Sequence, residues 1–264
     1  MLPEIAGVKT AVFTQRYAAY NETFSELGRG KSFGVLWHQA MMGRNDEDIT
    51  SAFMKILQSP DVNKHPHIVI WLDNCSGQNK NWTIFTTLAC FMGEVDESCA
   101  SLKSVTLKYF EAGHTFMAAD SFHARVEKQF RKKKNIFDFN DYLYCVREAG
   151  QAIELTANDF KDWKSGLSQS KASKDSRPLL EDVSMVQFKV GQTNMYFKRS
   201  LEDTHFECAD FLMKKFKDLV AQKQFIESQS TKERPSLDPA RKQGIIDKLC
   251  PLMPTDRRDF WHRL

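Results

Sequence analysis

The feature that most constrains the fold is a short apolar run that ends abruptly in a polar turn. The run His67–Leu72 (HIVIWL) is apolar at almost every position. Runs of this length and composition are typical of strands buried on both faces, as in a parallel sheet. The residues that follow, 73–81 (DNCSGQNKN), are polar or small. The sequence therefore predicts a buried strand whose carboxyl end opens onto a polar loop.

Strand-like and helix-like segments alternate along the first half of the chain. Four segments have the β-branched and aromatic composition of strands: 8–13, 32–38, 67–73 and 104–110. Three segments carry apolar residues at helical spacing: about 46–57, 79–92 and 120–133. Residues 14–24 fit either a strand or a connector, and Asn45 is the expected N-cap of the first long helix. The alternation predicts an α/β fold with 32–38, 67–73 and 104–110 in one mixed sheet flanked by helices.

The second half predicts an extension packed on this core. We expect a core at residues 1–150 and a mainly helical C-terminal extension at 151–264. Within the extension, Ser- and Lys-rich sequence predicts a loop at about 163–178. Alternating apolar residues predict a β-hairpin at about 183–199 that turns near Gly191. The tail from Leu237 onward has helical character.

Composition narrows the class of protein and the compartment. The formal net charge is +3 and the pI about 8.4, a mildly basic balance that does not by itself indicate a nucleic-acid partner. The six cysteines form no CxxC pair, and no apolar run approaches the roughly 18 residues of a membrane span. The N-terminus has no basic region followed by an apolar one. We therefore expect an intracellular protein with reduced thiols, no membrane partner, and a larger parent protein around this chain.

Asp73 is the first candidate for chemistry, because it lies where the predicted strand meets the polar loop. A carboxylate in this position can hold a hard divalent cation without bringing the cation into the core. An Asx-turn or a helix N-cap accounts for the same residue equally well. Asn74, Gln78 and Asn79 place amide groups at the mouth of this loop, where they suit phosphate, sugar or base edges or simply the loop's own hydrogen bonds.

The second candidate is a polar stripe on the predicted helix at 120–133. Asp120, His123 and Glu127 lie at positions i, i+3 and i+7 and so share one face. These residue types suit metal ligation and proton transfer. The ordinary alternative is a helix cap at Asp120, a surface His123 and a Glu127 that pairs with Arg131. His114, in the preceding loop, would reach the same cleft.

A basic run ends this helix, and the best-known enzyme motifs are absent from the chain. The run comprises Arg131, Lys132, Lys133 and Lys134, which suits either a phosphate backbone or a solvated helix surface. The sequence has no GxxxxGK[ST] loop, no GxGxxG after a strand, no GxSxG elbow and no HExxH pair. These absences exclude the commonest nucleotide-binding, hydrolase and zinc-protease signatures.

Several longer motifs resemble an uncharacterised domain family found in animal transposon-derived reading frames. The motifs are FTQRYAAYNETF, LWHQAMMGRNDEDITSAF, LDNCSGQNKNW, KYFEAGHTFMAADSFHARVEK and the LCPLMP…FW tail. The family looks like ribonuclease H-like transposase or integrase cores of the DDE type. The resemblance implies carboxylates on the first strand, at the end of the fourth and on a late helix, which hold two Mg²⁺ or Mn²⁺ ions for attack on a phosphodiester.

The resemblance implies metal-binding and catalytic roles for residues at two of the three expected positions of this chain. Asp73 matches the fourth-strand carboxylate, and Asp120 best matches the helix position, with Glu127 as a further metal ligand and His123 as support. Near the acid position expected from the first strand, the chain offers Thr14 and Gln15, so one of Asp46, Glu47 and Asp48 substitutes or the site is degenerate. Asn74, Gln78, Asn79 and residues 131–134 would contact nucleic acid.

Two functions from different classes follow. The first is a metal-dependent nuclease or polynucleotidyl transferase. The second is a domesticated transposase core that binds nucleic acid or protein without cutting. The retained Asp73, Asp120, His123 and Glu127 favour the first, and the missing first-strand acid favours the second. DNA is the expected partner, RNA and self-association are alternatives, and the nucleus is the expected location.

Overall fold

The helices and strands are those of a mixed α/β chain. A computed structural model describes residues 1–28, 30–75, 77–96, 101–111, 117–164 and 177–264. The strands are β1 Ala19–Ser25, β2 Ser32–His38, β3 His67–Leu72, β4 Ser104–Tyr109, β5 Gln151–Glu154, β6 Met185–Lys189, β7 Met195–Lys198 and β8 Glu207–Ala209. The helices are α1 Lys9–Phe13, α2 Asp46–Leu57, α3 Pro60–Asn63, α4 Trp82–Glu94, α5 Ala118–Lys133, α6 Phe139–Ala149, α7 Lys214–Ala221, α8 Pro239–Lys248 and α9 Thr255–Arg263.

The chain divides into two compact units that interleave along the sequence. The first unit comprises residues 1–44, 116–158 and 233–264, and the second comprises 45–115 and 159–232. The sequence-based division at residue 150 follows the chain in order, whereas each of these units draws on separated segments. The predicted loop at 163–178 lies mostly outside the described residues, as does His114.

The first unit contains a three-stranded sheet in the order β1-β2-β5. β1 and β2 are antiparallel, and β2 and β5 are parallel. Helix α5 packs closely here, because Phe122 is fully buried and a Cβ at Gly150 would lie 2.7 Å from its ring. The hydrophobic core around Phe122 extends to Trp261 of α9, so the helical tail completes this unit.

The second unit contains a five-stranded sheet in the order β3-β4-β6-β7-β8. β3 and β4 are parallel, and the other neighbouring strands are antiparallel. Helix α4 covers one face through Phe85, whose ring lies 6.5 Å from that of Tyr109 and 6.2 Å from that of Phe188. The predicted hairpin is confirmed as β6 and β7, with Gly191 at φ +72° in the turn between them.

Three sequence-based expectations about the strands were wrong. Residues 8–13 contain the short helix α1, in which only Ala11 is buried, and β1 lies further along at Ala19–Ser25. β2 belongs to a different sheet from β3 and β4, because apolar composition identifies a strand but not its neighbours. β3 is an edge strand rather than one buried on both faces, since Val69 is 51% exposed.

The predicted helices are present with small shifts at their ends. Asn45 caps α2 as expected, with its side chain accepting from the backbone nitrogens of Glu47 and Asp48. Among the helices of the described residues, none is both long enough and apolar enough to cross a lipid bilayer.

Candidate functional site

Asp73 directly follows β3, at the carboxyl end of the parallel strand pair, and is half-buried. Its Oδ1 accepts a short hydrogen bond from Nδ2 of Asn79 and a longer one, at 3.4 Å, from the backbone nitrogen of Cys75. Within the described part of the chain, Oδ2 of Asp73 accepts no hydrogen bond. One carboxylate oxygen is thus held by the loop, and no described residue donates a hydrogen bond to the other.

The loop that holds Asp73 is ordered by buried polar residues. Asn79 is buried, its backbone oxygen accepts from the Tyr109 hydroxyl at 3.0 Å, and its side-chain Oδ1 has no hydrogen-bond partner among the described residues. The side chain of Asn79, predicted to contact nucleic acid, therefore lies inside the loop. Asn74 and Gln78 are more accessible, and Asn81 caps α4 by accepting from the backbone nitrogen of Ile84.

Lys80 is a buried cation that the sequence did not single out. It is 2% exposed, and its Nζ donates to Oδ1 of Asn74 at 3.0 Å and lies 5.1 Å from the centroid of the Tyr109 ring. Burial lowers the pKa of Lys80, and the carboxylates of Asp182 and Glu181 oppose this shift. The ammonium group therefore anchors Asn74, the residue next to Asp73, at an electrostatic cost.

The stripe on α5 is present as predicted, but its carboxylates are exposed. Asp120 is the third residue of the helix, and its Oδ2 accepts from the backbone nitrogen of Met117 at 2.7 Å. Loss of surrounding water lowers the pKa of His123, while Asp120 and Glu127 act in the opposite direction. The three side chains therefore share one face, and Asp120 serves as a helix cap.

The two halves of the predicted site belong to different units. Asp73 lies in the second unit, and Asp120, His123 and Glu127 lie in the first. That they meet in one cleft stays a prediction.

The acids at the start of α2, proposed as substitutes for a first-strand carboxylate, are already engaged. Asp46 accepts from Lys164 at 2.6 Å and from Thr83 at 2.7 Å. Burial alone would raise the pKa of Asp46, but these two hydrogen bonds lower it. Glu47 and Asp48 both pair with Lys232, at 3.3 and 2.8 Å. These ion pairs engage all three acids and tie α2 to the later part of the second unit.

The basic run at the end of α5 divides into two kinds of residue. Arg131, Lys132 and Lys134 are exposed. Lys133 instead pairs with the buried carboxylate of Asp141 at 3.1 Å. Three of the four cations are therefore accessible to a phosphate backbone, and the fourth stabilises the junction of α5 with α6.

Comparison with known families decides where the chain belongs. Residues 26–201, more than half of the 264-residue chain, match the family described as a domain of unknown function, DUF7869. The chain belongs to the DUF7869 family. No curated protein matches it, and no solved structure matches it. The DUF7869 match includes the Asp73 loop, all of α5 and the β6–β7 hairpin.

Glu22 is an acid that sequence reasoning missed because it placed the first strand too early. It lies on β1, just before the DUF7869 match begins, and its carboxylate pairs with Arg44 at 3.2 Å. Arg44 also contributes to the lowered pKa of His123. The alternation of Tyr20, Glu22 and Phe24 with smaller polar residues is the strand signal that could have located it.

The donor set allows only a limited metal site. Among the described residues, no group of three or more His, Cys, Asp or Glu side chains is arranged to hold a metal ion. Mg²⁺ is commonly bound through one or two carboxylates, with phosphate oxygens and water completing the octahedron. Asp73, whose Oδ2 accepts no hydrogen bond from a described residue, fits that minimum, so a cation here would depend on substrate for its remaining ligands.

Proposed function

We propose that this DUF7869 chain is a transposase- or integrase-derived domain that processes nucleic acid, with a ribonuclease H-like core. In this proposal it cleaves or transfers phosphodiester bonds with Mg²⁺ or Mn²⁺, acts on DNA more readily than on RNA, and works in the nucleus. One observation carries the proposal. Asp73 follows a parallel strand, is held through one oxygen by Asn79, and accepts no hydrogen bond from a described residue at its other oxygen.

The position of Asp73 supports this chemistry for a physical reason. Ligands of parallel α/β sheets bind beyond the carboxyl ends of the strands. Asp73 lies in that position, because it directly follows the last residue of β3. A carboxylate held by a neighbouring amide keeps its orientation without a second ordering cost when a cation arrives. When bound, the divalent ion would polarise the phosphate and stabilise the charge that develops on its oxygens.

The surrounding side chains have distinct roles in the proposal. Asn79 orients the carboxylate, and Lys80 holds Asn74 at the edge of the loop. Asn74 and Gln78 are accessible enough to contact a sugar–phosphate backbone. Each role belongs to the second unit, so the proposal does not depend on α5.

The test is cleavage of labelled single- and double-stranded DNA and RNA by the purified chain with Mg²⁺ or Mn²⁺. We expect EDTA to abolish cleavage and Asp73→Asn to reduce it at least about a hundredfold, because the amide removes the charge that attracts the cation. Asp73→Asn should cost less than about 1 kcal/mol of stability, since its amide oxygen can still accept from Asn79.

Asp61→Asn is the matched control, because it removes one carboxylate charge from an exposed position in the same unit. It should leave cleavage within about twofold of the unaltered protein. Cleavage that survives Asp73→Asn, or that is equally sensitive to Asp61→Asn, would refute the role of Asp73. Absence of metal-dependent cleavage on every substrate would refute the enzyme.

The exposed cations at the end of α5 support a second function, binding of nucleic acid without cleavage. Arg131, Lys132 and Lys134 are exposed at the carboxyl end of α5 and can displace counterions from a phosphate backbone. In this alternative, salt weakens DNA binding, EDTA does not affect it, and Lys132→Glu with Lys134→Glu weakens it. Lys133 is left unchanged because its loss would disturb Asp141. Lys248→Glu, on the exposed side of α8, is the control for charge alone.

A further inference from the structure

The sheet of the second unit has one face that is rich in polar and cationic side chains. Strand register places His67 opposite Ser104 and Ser104 opposite Lys189, so the three residues form one row across β3, β4 and β6. In the next row, Thr106 lies opposite Gln187, which lies opposite Tyr196. Helix α4 packs on the opposite face, through Phe85 against Phe188.

A pocket of about 440 Å³ opens at the first of these rows. Its polar lining comprises His67, Lys103, Ser104, Gln187, Lys189 and Gln192. The described lining contains two lysines, a histidine, a hydroxyl and two amides, and none of these described residues carries a carboxylate. A volume of this size is typical of a small-molecule site. The cationic side chain of Lys189 favours an anionic ligand over a cationic one.

Several lining side chains are held in place by contacts within the sheet. Nδ1 of His67 lies 2.9 Å from the Ser104 hydroxyl, and Nε2 of Gln187 donates to Thr106 at 3.1 Å. Nζ of Lys189 lies 4.1 Å from the centroid of the Tyr196 ring, and the Tyr196 hydroxyl donates to Gln192 at 2.7 Å. These contacts order the polar groups before a ligand arrives, which lowers the entropic cost of binding.

We propose that this pocket binds a phosphate group carried by a nucleotide or by a nucleic-acid strand. A phosphate combines compact negative charge with several acceptor oxygens, which matches lysine donors alongside hydroxyl and amide donors. The pocket lies at the amino end of β3, whereas Asp73 follows its carboxyl end. Six extended residues span about 20 Å, so this is a separate site from the Asp73 loop. It does not rest on the proposed function.

Two probes distinguish the sources of the phosphate. AMP, followed by isothermal titration calorimetry, represents a free nucleotide. A fluorescein-labelled, single-stranded dT oligonucleotide, followed by fluorescence anisotropy, represents a strand. The variants are Lys189→Gln, Lys103→Gln and the double variant. Lys215→Gln is the matched control, because it removes the same charge from an exposed position of α7.

We expect Lys189→Gln to weaken binding of at least one probe about tenfold, because a charge-assisted hydrogen bond to phosphate is lost. The double variant should weaken it further, and Lys215→Gln should change it less than twofold. If the chain binds AMP more tightly than the oligonucleotide, the pocket is assigned to a nucleotide. If it binds the oligonucleotide more tightly than AMP, the pocket is assigned to a nucleic-acid strand. A chain that binds neither probe, or whose binding is unaffected in the double variant, overturns the proposal. Thermal unfolding of every variant shows that the fold is retained.

Discussion

The Asp73 loop and the start of α5 carry the same residue types but hold them in different ways. Asp73 is half-buried, and its loop is fixed by residues that come from elsewhere in the fold, such as Tyr109 on β4. Asp120 is exposed, and among the described residues its side chain accepts from the backbone nitrogen of Met117, the N-cap of its own helix. A carboxylate positioned by tertiary contacts is prepared for a ligand, whereas one that caps a helix already has a structural task. The difference separates Asp73 from Asp120 as candidates for chemistry.

The largest expected effect comes from Lys80, which supports the Asp73 loop from inside. Lys80→Ala should be about 2–3 kcal/mol less stable than Lys80→Met, because alanine leaves a cavity that the methionine side chain fills. Lys80→Met removes the buried charge and keeps most of the volume, so we expect it to unfold within about 1 kcal/mol of the unaltered chain. Urea unfolding at pH 7 measures both differences. Equal stability of the two variants would show that Lys80 is not packed as described.

The same residue predicts a pH dependence with a definite sign. Burial lowers the pKa of Lys80 below its ordinary value of 10.5. Between the two values the unfolded chain binds a proton that the folded chain does not, so stability rises with pH in that range. The unaltered chain should therefore gain stability relative to Lys80→Met as the pH approaches 10.5. A difference between the two that does not change with pH would contradict the lowered pKa.

A medium effect is expected from Asn79, the side chain that orients Asp73. Asn79→Ala removes the amide donor to a charged acceptor, which should cost about 1.5–3 kcal/mol. It should also slow any metal-dependent cleavage, because Asp73 loses its fixed orientation. Gln78→Ala is the control from the same loop and should cost less than about 0.5 kcal/mol. If Asn79→Ala and Gln78→Ala lose the same free energy of unfolding, the Asn79–Asp73 hydrogen bond does not order the loop.

Local signals in the sequence were sufficient to predict most elements near the candidate site. The cap at Asn45 and the helical spacing of α2 depend on neighbours within one turn, and both are confirmed. The stripe of Asp120, His123 and Glu127 follows from helical geometry alone. The polar loop after β3 was predicted because apolar composition changes abruptly at Asp73.

The sequence did not allow us to predict which strands and which charged side chains pair when they are far apart in the chain. Residues 32–38 have strand composition and pair with the neighbouring β1, but their pairing with β5 joins segments more than a hundred residues apart. The acids of α2 are available as ligands by sequence alone, but in the fold they pair with Lys164 and Lys232, more than a hundred residues away. The burial of Lys80 could not be predicted for the same reason. Lys80 lies in the loop before α4, and its ammonium group packs over the ring of Tyr109, which is on β4.

The smallest effects are expected on α5. Asp120→Ala removes the acceptor for the backbone nitrogen of Met117 and a negative charge near the helix N-terminus, which should cost about 0.5–1 kcal/mol. The side chains of His123 and Glu127 are exposed. We therefore expect His123→Ala and Glu127→Ala each to change the stability of the fold by less than about 0.5 kcal/mol. Asp120→Asn sharpens the comparison, because its amide oxygen can still cap the helix while the charge is removed. If Asp120 only caps α5, Asp120→Asn should retain any cleavage that Asp73→Asn abolishes. Cleavage lost in Asp120→Asn at unchanged stability would instead make this carboxylate part of the chemistry, because only its charge has been removed.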